Sequence, residues 1–196
     1  QWRFEERFLW TEVAEGSLRL RYDPALIKPD AAAQSARRLE AALSETQAFL
    51  GVDPARMAPL VVNLYDSVEE KARQTSDSSP ARAERSSGAI HLVSGQGFES
   101  FGRWAIAQAV IRLADGVWGL AGESAHPGLA AATAFACLDR FEGIPLAAWA
   151  ARSTRDAGYL PLEVLFSRPA GDLSSGDPWL LDAAAFLREL ILKEGA

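Results

Sequence analysis

Cysteine, histidine and lysine are scarce in this chain, and each scarcity removes a class of chemistry. Cys137 is the single cysteine among 196 residues, so no internal disulfide and no cysteine-built zinc site can form. One thiol is compatible with the cytosol and equally with a periplasm or cell surface. The two histidines are His91 and His126, and none lies between Phe101 and Ala125. Lysine occurs three times against seventeen arginines; with the many alanines, that ratio points to a GC-rich coding sequence more than to a function. The basic residues are scattered and the net charge is -6, which argues against a nucleic-acid partner because no basic stripe exists to displace counterions. No long apolar run is present. Leu146 to Ala151 comes nearest and is far shorter than a membrane span.

What is there is ordinary globular material, 48% hydrophobic and 23% charged. A chain of this length buries roughly 70% of its unfolded surface and needs no covalent staple. Phe4 to Val13 and the alternating Leu18 to Tyr22 read as two strands around a Glu15-Gly16 turn. Asp30 is a plausible N-cap of a helix that carries Ala36, Leu39, Leu43, Thr46 and Leu50 at helical spacing and closes at Gly51. LVVNLY after Pro59 reads as a buried strand, and Ser67 with Glu70 can open a short helix. The polar stretch from Thr75 to Ser87 reads as a mobile loop. AIHLV is another strand, broken by Gly95 and Gly97.

Near residue 100 the pattern turns wholly helical. Helices are expected over Phe101–Ala114, Pro127–Leu138 and Pro145–Arg155, with a short segment at Pro161–Phe166. A last helix follows the Asp177-Pro178 cap pair, buries Leu180, Leu181, Ala184, Leu187, Leu190 and Ile191, and ends at Gly195. The expected class is α+β, with a strand-rich part at 1–100 and a helical part at 101–196 within one compact domain.

The run FGRWAIAQAVIRLADGVWGLAGESAHPGLAAATAFACLDR joins an apolar helix, a Gly-rich loop and a second helix opened by His126-Pro127-Gly128-Leu129. Together with LRLRYDP, the helix ending FLGVDP, VVNLYDSVEEKARQTS, SSGAIHLVSG, GYLPLEVLFS and DPWLLDAAAFLRELILKEG, it resembles the peptidase MA domains, a gluzincin group with the zincin fold. The likeness covers most of residues 17 to 195. It implies, in order, an opening strand, a long helix, a strand with a polar segment, an edge strand, a zinc helix, a glutamate helix and a closing helix. Such a site needs two histidines four apart on one face, a glutamate base between them, and a glutamate ligand on the next helix. Carried across, those positions are Ala107, Gln108, Ile111 and Ala131. The three ligand positions hold methyl or aliphatic groups, and Gln108 cannot take up a proton at neutral pH. The resemblance therefore implies a scaffold without metal or cofactor. On residues alone, the same segment is two apolar helices packed in a core.

Other candidate residues each have a plain structural role beside a functional one. His91, with Gln108, is a candidate binding residue: in active members of the family the corresponding edge strand pairs with extended substrate, so a retained edge can hold a peptide by β-augmentation. The plain alternative is a strand histidine on the solvent face. Cys137 in AFACLDR reads as an inert buried thiol, and His126 has no identifiable partner. Gly122-Glu123-Ser124-Ala125-His126 lacks the second glycine and the preceding strand of a nucleophile elbow. Gly95, Gly97 and Gly102 miss dinucleotide-loop spacing. Glu123, Asp139 and Glu142 can gather near the cleft or simply cap helix ends. Trp104 and Trp118 flank the zinc-helix segment and can fill its space, or are core with each indole N–H bonded. Trp2, Phe4, Phe8 and Trp10 fit a core strand better than a partner surface.

The leading expectation is a pseudopeptidase: a binding or scaffolding module for an extended peptide or protein, with no metal and no nucleic-acid partner. Its expected setting is bacterial and extracytoplasmic, periplasmic or cell-surface. Gln1 is not an initiator, so any signal segment is expected to lie outside this chain. The alternatives are a hydrolase using Glu123, Asp139, His91 or His126 in the same cleft, and a purely structural domain of a larger protein.

Overall fold

The computed structural model describes residues 9–84, 88–118, 127–141, 143–157 and 178–194. Strands β1 (Thr11–Glu15) and β2 (Leu18–Tyr22) form a hairpin. Gly16 turns it at φ +51, a backbone region that favours glycine. Helix α1 (Pro29–Phe49) then crosses over to β3 (Leu60–Tyr65), which runs parallel to β2. After α2 (Val68–Thr75) and the short β4 (Ala81–Ala83), β5 (Ile90–Val93) inserts between β3 and β4. The order is β1-β2-β3-β5-β4, with β5 parallel to β3 and antiparallel to β4. Helices α3 (Phe98–Trp118) and α4 (Pro127–Ala136) follow, then the small hairpin β6 (Arg140–Phe141) and β7 (Ile144–Pro145). Helices α5 (Leu146–Ala157) and α6 (Pro178–Glu194) complete an α+β architecture with strands in the N-terminal half and mainly helices in the C-terminal half.

Strand alternation sets the layers. Leu18, Leu20, Leu60, Val62, Leu64, Ile90 and Leu92 all point to one face and are buried against α1 and α3. Full burial of each such side chain stabilises the fold by about 1.5–3 kcal/mol. The helices come close because small residues line the seam. A Cβ at Gly102 of α3 would stand 2.8 Å from Leu39 and 3.3 Å from Leu92. A second apolar cluster gathers Phe135, Phe141, Leu146, Leu180 and Leu181 between α4, α5 and α6. Helix α3, which runs across residue 100, packs with the sheet, and Phe49, Phe101 and Trp104 touch both clusters.

Several sequence expectations need correction. Lys28, not Asp30, stands at the N-cap of α1; Pro29 takes the first helical position, for which its ring is preset, and Asp30 falls in the first turn. Regular pairing begins at Thr11, and Trp2, Phe4 and Phe8 lie outside the described residues. The segment expected as a mobile loop contains β4. Leu190, expected in the buried stripe of the last helix, is 45% exposed. The 161–166 segment, Asp177 and Gly195 are outside the described residues.

Order between α2 and β4 comes from a buried ammonium. The Lys71 side chain is fully buried, and its Nζ donates to Asp77 Oδ2 (2.7 Å), Asp77 O (3.2 Å) and Ser79 O (2.9 Å). With Ser79 Oγ also at 3.4 Å, the three ammonium hydrogens face four acceptors, which meets the condition for burying a charge. Asp77 in turn accepts from the Ser79 N–H at 3.0 Å. Burial pushes the Asp77 carboxyl up, but the Lys71 and Ser79 hydrogen bonds and the lysine charge outweigh it and hold the group below its usual range. An acid held low contributes stability above its unfolded pKa, near 4, and loses it as pH falls through the lower folded value. Removing one partner strands the other. Asp77→Ala is expected to cost about 3–5 kcal/mol in urea unfolding at neutral pH, with that deficit shrinking toward acid pH.

Candidate functional site

One row of polar side chains crosses the sheet on the face away from α1 and α3. Register pairs Glu12 with Arg21, Arg21 with Asn63, Asn63 with His91, and His91 with Arg82, so each of the five strands contributes one residue. Paired residues project to the same side. Tyr65, two residues beyond Asn63, joins this face, and Gln74 and Thr75 of α2 border it. The result is a pocket of about 450 Å³ lined by these groups with Trp10, Arg21, Arg82 and Glu84.

At its floor the Tyr65 hydroxyl lies 2.8 Å from His91 Nδ1, and His91 Nε2 lies 3.0 Å from Glu84 Oε1. Glu84 as a carboxylate can only accept, so Nε2 carries a hydrogen; in the neutral ring Nδ1 then accepts the Tyr65 proton. Tyr65 and His91 are stacked at 5.8 Å, and Trp10 meets Tyr65 edge-on at 5.7 Å. Burial first, then the charges of Glu70 and Glu84, push the Tyr65 phenol up to about 12. Glu70 itself sits above the usual carboxylate range, chiefly through burial, against a partly offsetting hydrogen bond from the Asp66 N–H. The Ser67 hydroxyl caps α2 by accepting the Glu70 N–H at 3.2 Å.

His91 thus departs from both sequence expectations. It is 9% exposed and so is not a solvent-facing strand histidine. Its strand is interior, with β3 on one side and β4 on the other, so it offers no free edge to a peptide. The edge is β4. There, Glu84 N–H bonds Ala89 O at 2.7 Å and Val93 N–H bonds Pro80 O at 3.0 Å. By antiparallel alternation, Ala81 and Ala83 turn their main-chain groups outward. Both outward carbonyls already have donors. Arg112 of α3 donates to Ala83 O, and the Ser79 hydroxyl, 2.9 Å from Ala81 O, shares its hydrogen with Asp77.

The positions taken from the family resemblance fall as follows. Ala107 and Ile111 are buried in the first cluster, Gln108 is half-buried on α3, and Ala131 packs on the second cluster. His91 and Gln108 are not brought into one site, because His91 projects from the sheet face opposite α3. Glu123, His126 and Glu142 lie outside the described residues, and Asp139 is exposed. Trp149 donates its indole N–H to Phe141 O at 3.1 Å. The Trp104 N–H, also expected to be bonded, is buried with no partner among the described residues. The side chain of Trp118 is outside them. Burial pushes the Cys137 thiol up to about 12, and its sulfur donates to Thr133 O.

Comparison with protein-family models, curated proteins and solved structures finds no match.

Two measurements follow from these groups. An alkaline absorbance titration should show a tyrosine component near pH 12, and Tyr65→Phe should remove it. Because the phenol is raised in the fold, unfolded chain ionises first, and stability should decline as pH rises above about 10. Cys137 should resist Ellman's reagent in native protein and react at once in denaturant; prompt native labelling would contradict the burial described.

Proposed function

We propose that the chain is a catalytically inactive metallopeptidase-like domain, a pseudopeptidase on a zincin-like scaffold. It serves as a protein-binding or scaffolding module in a bacterial extracytoplasmic setting. The observation that carries this reading is the joint replacement at Ala107, Gln108, Ile111 and Ala131. None of the three ligand positions has a donor atom, and Ala107 and Ile111 are packed in core. The order of elements is in line with it: β2, the long α1, β3 with polar α2, the β4–β5 pair, then α3, α4 and the closing α6. In this reading β4 takes the place of the edge strand.

The engaged carbonyls of Ala81 and Ala83 favour contact through the outer surface of the scaffold over capture of an extended peptide along that edge. The competing hydrolase reading has little to work with at His91. Both its ring nitrogens are occupied, and the neighbouring Tyr65 hydroxyl stays protonated at neutral pH.

Metal analysis and a peptidase assay test the proposal together. Protein purified without chelator is expected to carry zinc far below one ion per chain and to leave an unfolded protein substrate intact, with or without added zinc. Stoichiometric tightly held zinc, or chelator-sensitive cleavage, would sink it.

A further inference from the structure

We propose that the pocket on the outer face of the sheet is a binding site for a small organic carboxylate carrying a flat apolar group. This site is independent of the peptidase-like reading, since the sheet separates it from α3. Its volume, about 450 Å³, lies within the range of small-ligand sites.

The inference rests on an imbalance of donors over acceptors. Each acid of the row is already committed. Glu12 is paired with Arg21 at 3.1 Å, and Glu84 receives His91 Nε2 at 3.0 Å. The donors are not matched in the same way. Among the described residues, Arg82 has no ion-pair partner and the Gln74 Nε2 atom is buried with no hydrogen bond. A buried amide left unbonded costs free energy that a ligand oxygen recovers. Arg82 offers a planar fork that matches a carboxylate's two oxygens, and Gln74 and Asn63 add neutral donors to the same pocket.

The second half of the ligand is set by Trp10 and Tyr65. Their edge-on pair forms an aromatic wall beside those donors. A bare inorganic anion would leave the wall unused. A flat apolar group joined to the carboxylate covers it and removes apolar surface from water.

The test uses 3-phenylpropionate and its uncharged amide, 3-phenylpropionamide, with inorganic phosphate as a third arm. Each is titrated into the whole chain and followed by amide, side-chain amide and indole signals in heteronuclear NMR. Saturable shifts are expected at the Gln74 side-chain amide, the Trp10 indole and the backbone around Arg82. The acid should bind about tenfold more tightly than the amide, the value of one charge-assisted contact of ordinary strength. Arg82 is exposed, so Arg82→Ala should fold normally, which its spectrum will report, and lose most of that discrimination; Arg82→Lys should fall between. Equal binding of acid and amide, shifts located elsewhere, no saturable shift, or phosphate binding as well as the acid would each overturn the proposal.

Discussion

A strand residue can face one side of its sheet and no other, and this constraint organises the whole molecule. Five strands place their aliphatic residues on one face and a polar residue from each on the other. The first set is what α1 and α3 pack upon. The second set becomes a pocket with an internally bonded floor. The constraint also separates two ideas that look contiguous in sequence. His91 and Gln108 are seventeen positions apart, yet the sheet stands between their side chains.

At the β4 edge of that sheet the outward carbonyls are engaged by the chain itself. A three-residue strand with alanine at both ends has little intrinsic preference for its conformation. Its order is borrowed from Lys71, whose buried ammonium holds Asp77 and Ser79, and from Arg112, which reaches across to Ala83 O. Exposed edges invite pairing with other chains, and engaged outward carbonyls weaken the invitation.

How much of this is readable from residues alone depends on the range of the interaction. The alternation in LRLRY and LVVNLY places β2 and β3, and the Ser67–Glu70 spacing places the start of α2, because those signals are local. Pro29 and Gly51 bound α1 for the same reason. The strand β4 is not legible, because what holds it is a lysine ten residues upstream in a helix that reads as polar. The pocket is not legible either. Arg21, Asn63 and Arg82 carry no individual signal and His91 stands out only as a strand histidine; only register makes the four neighbours. The interior position of β5 is likewise a fact about pairing order. Trp104 fails its expectation because its bulk is used where two cores meet, away from any described acceptor.

That meeting place has a consequence for how the protein comes apart. Phe49, Phe101 and Trp104 belong to the boundary of both apolar clusters, and Arg188 of α6 lies over the Phe49 ring at 5.1 Å. Neither cluster can be exposed without stripping contacts from side chains that the other also uses. The sheet and the helices around Phe135 are therefore expected to come apart in one cooperative transition.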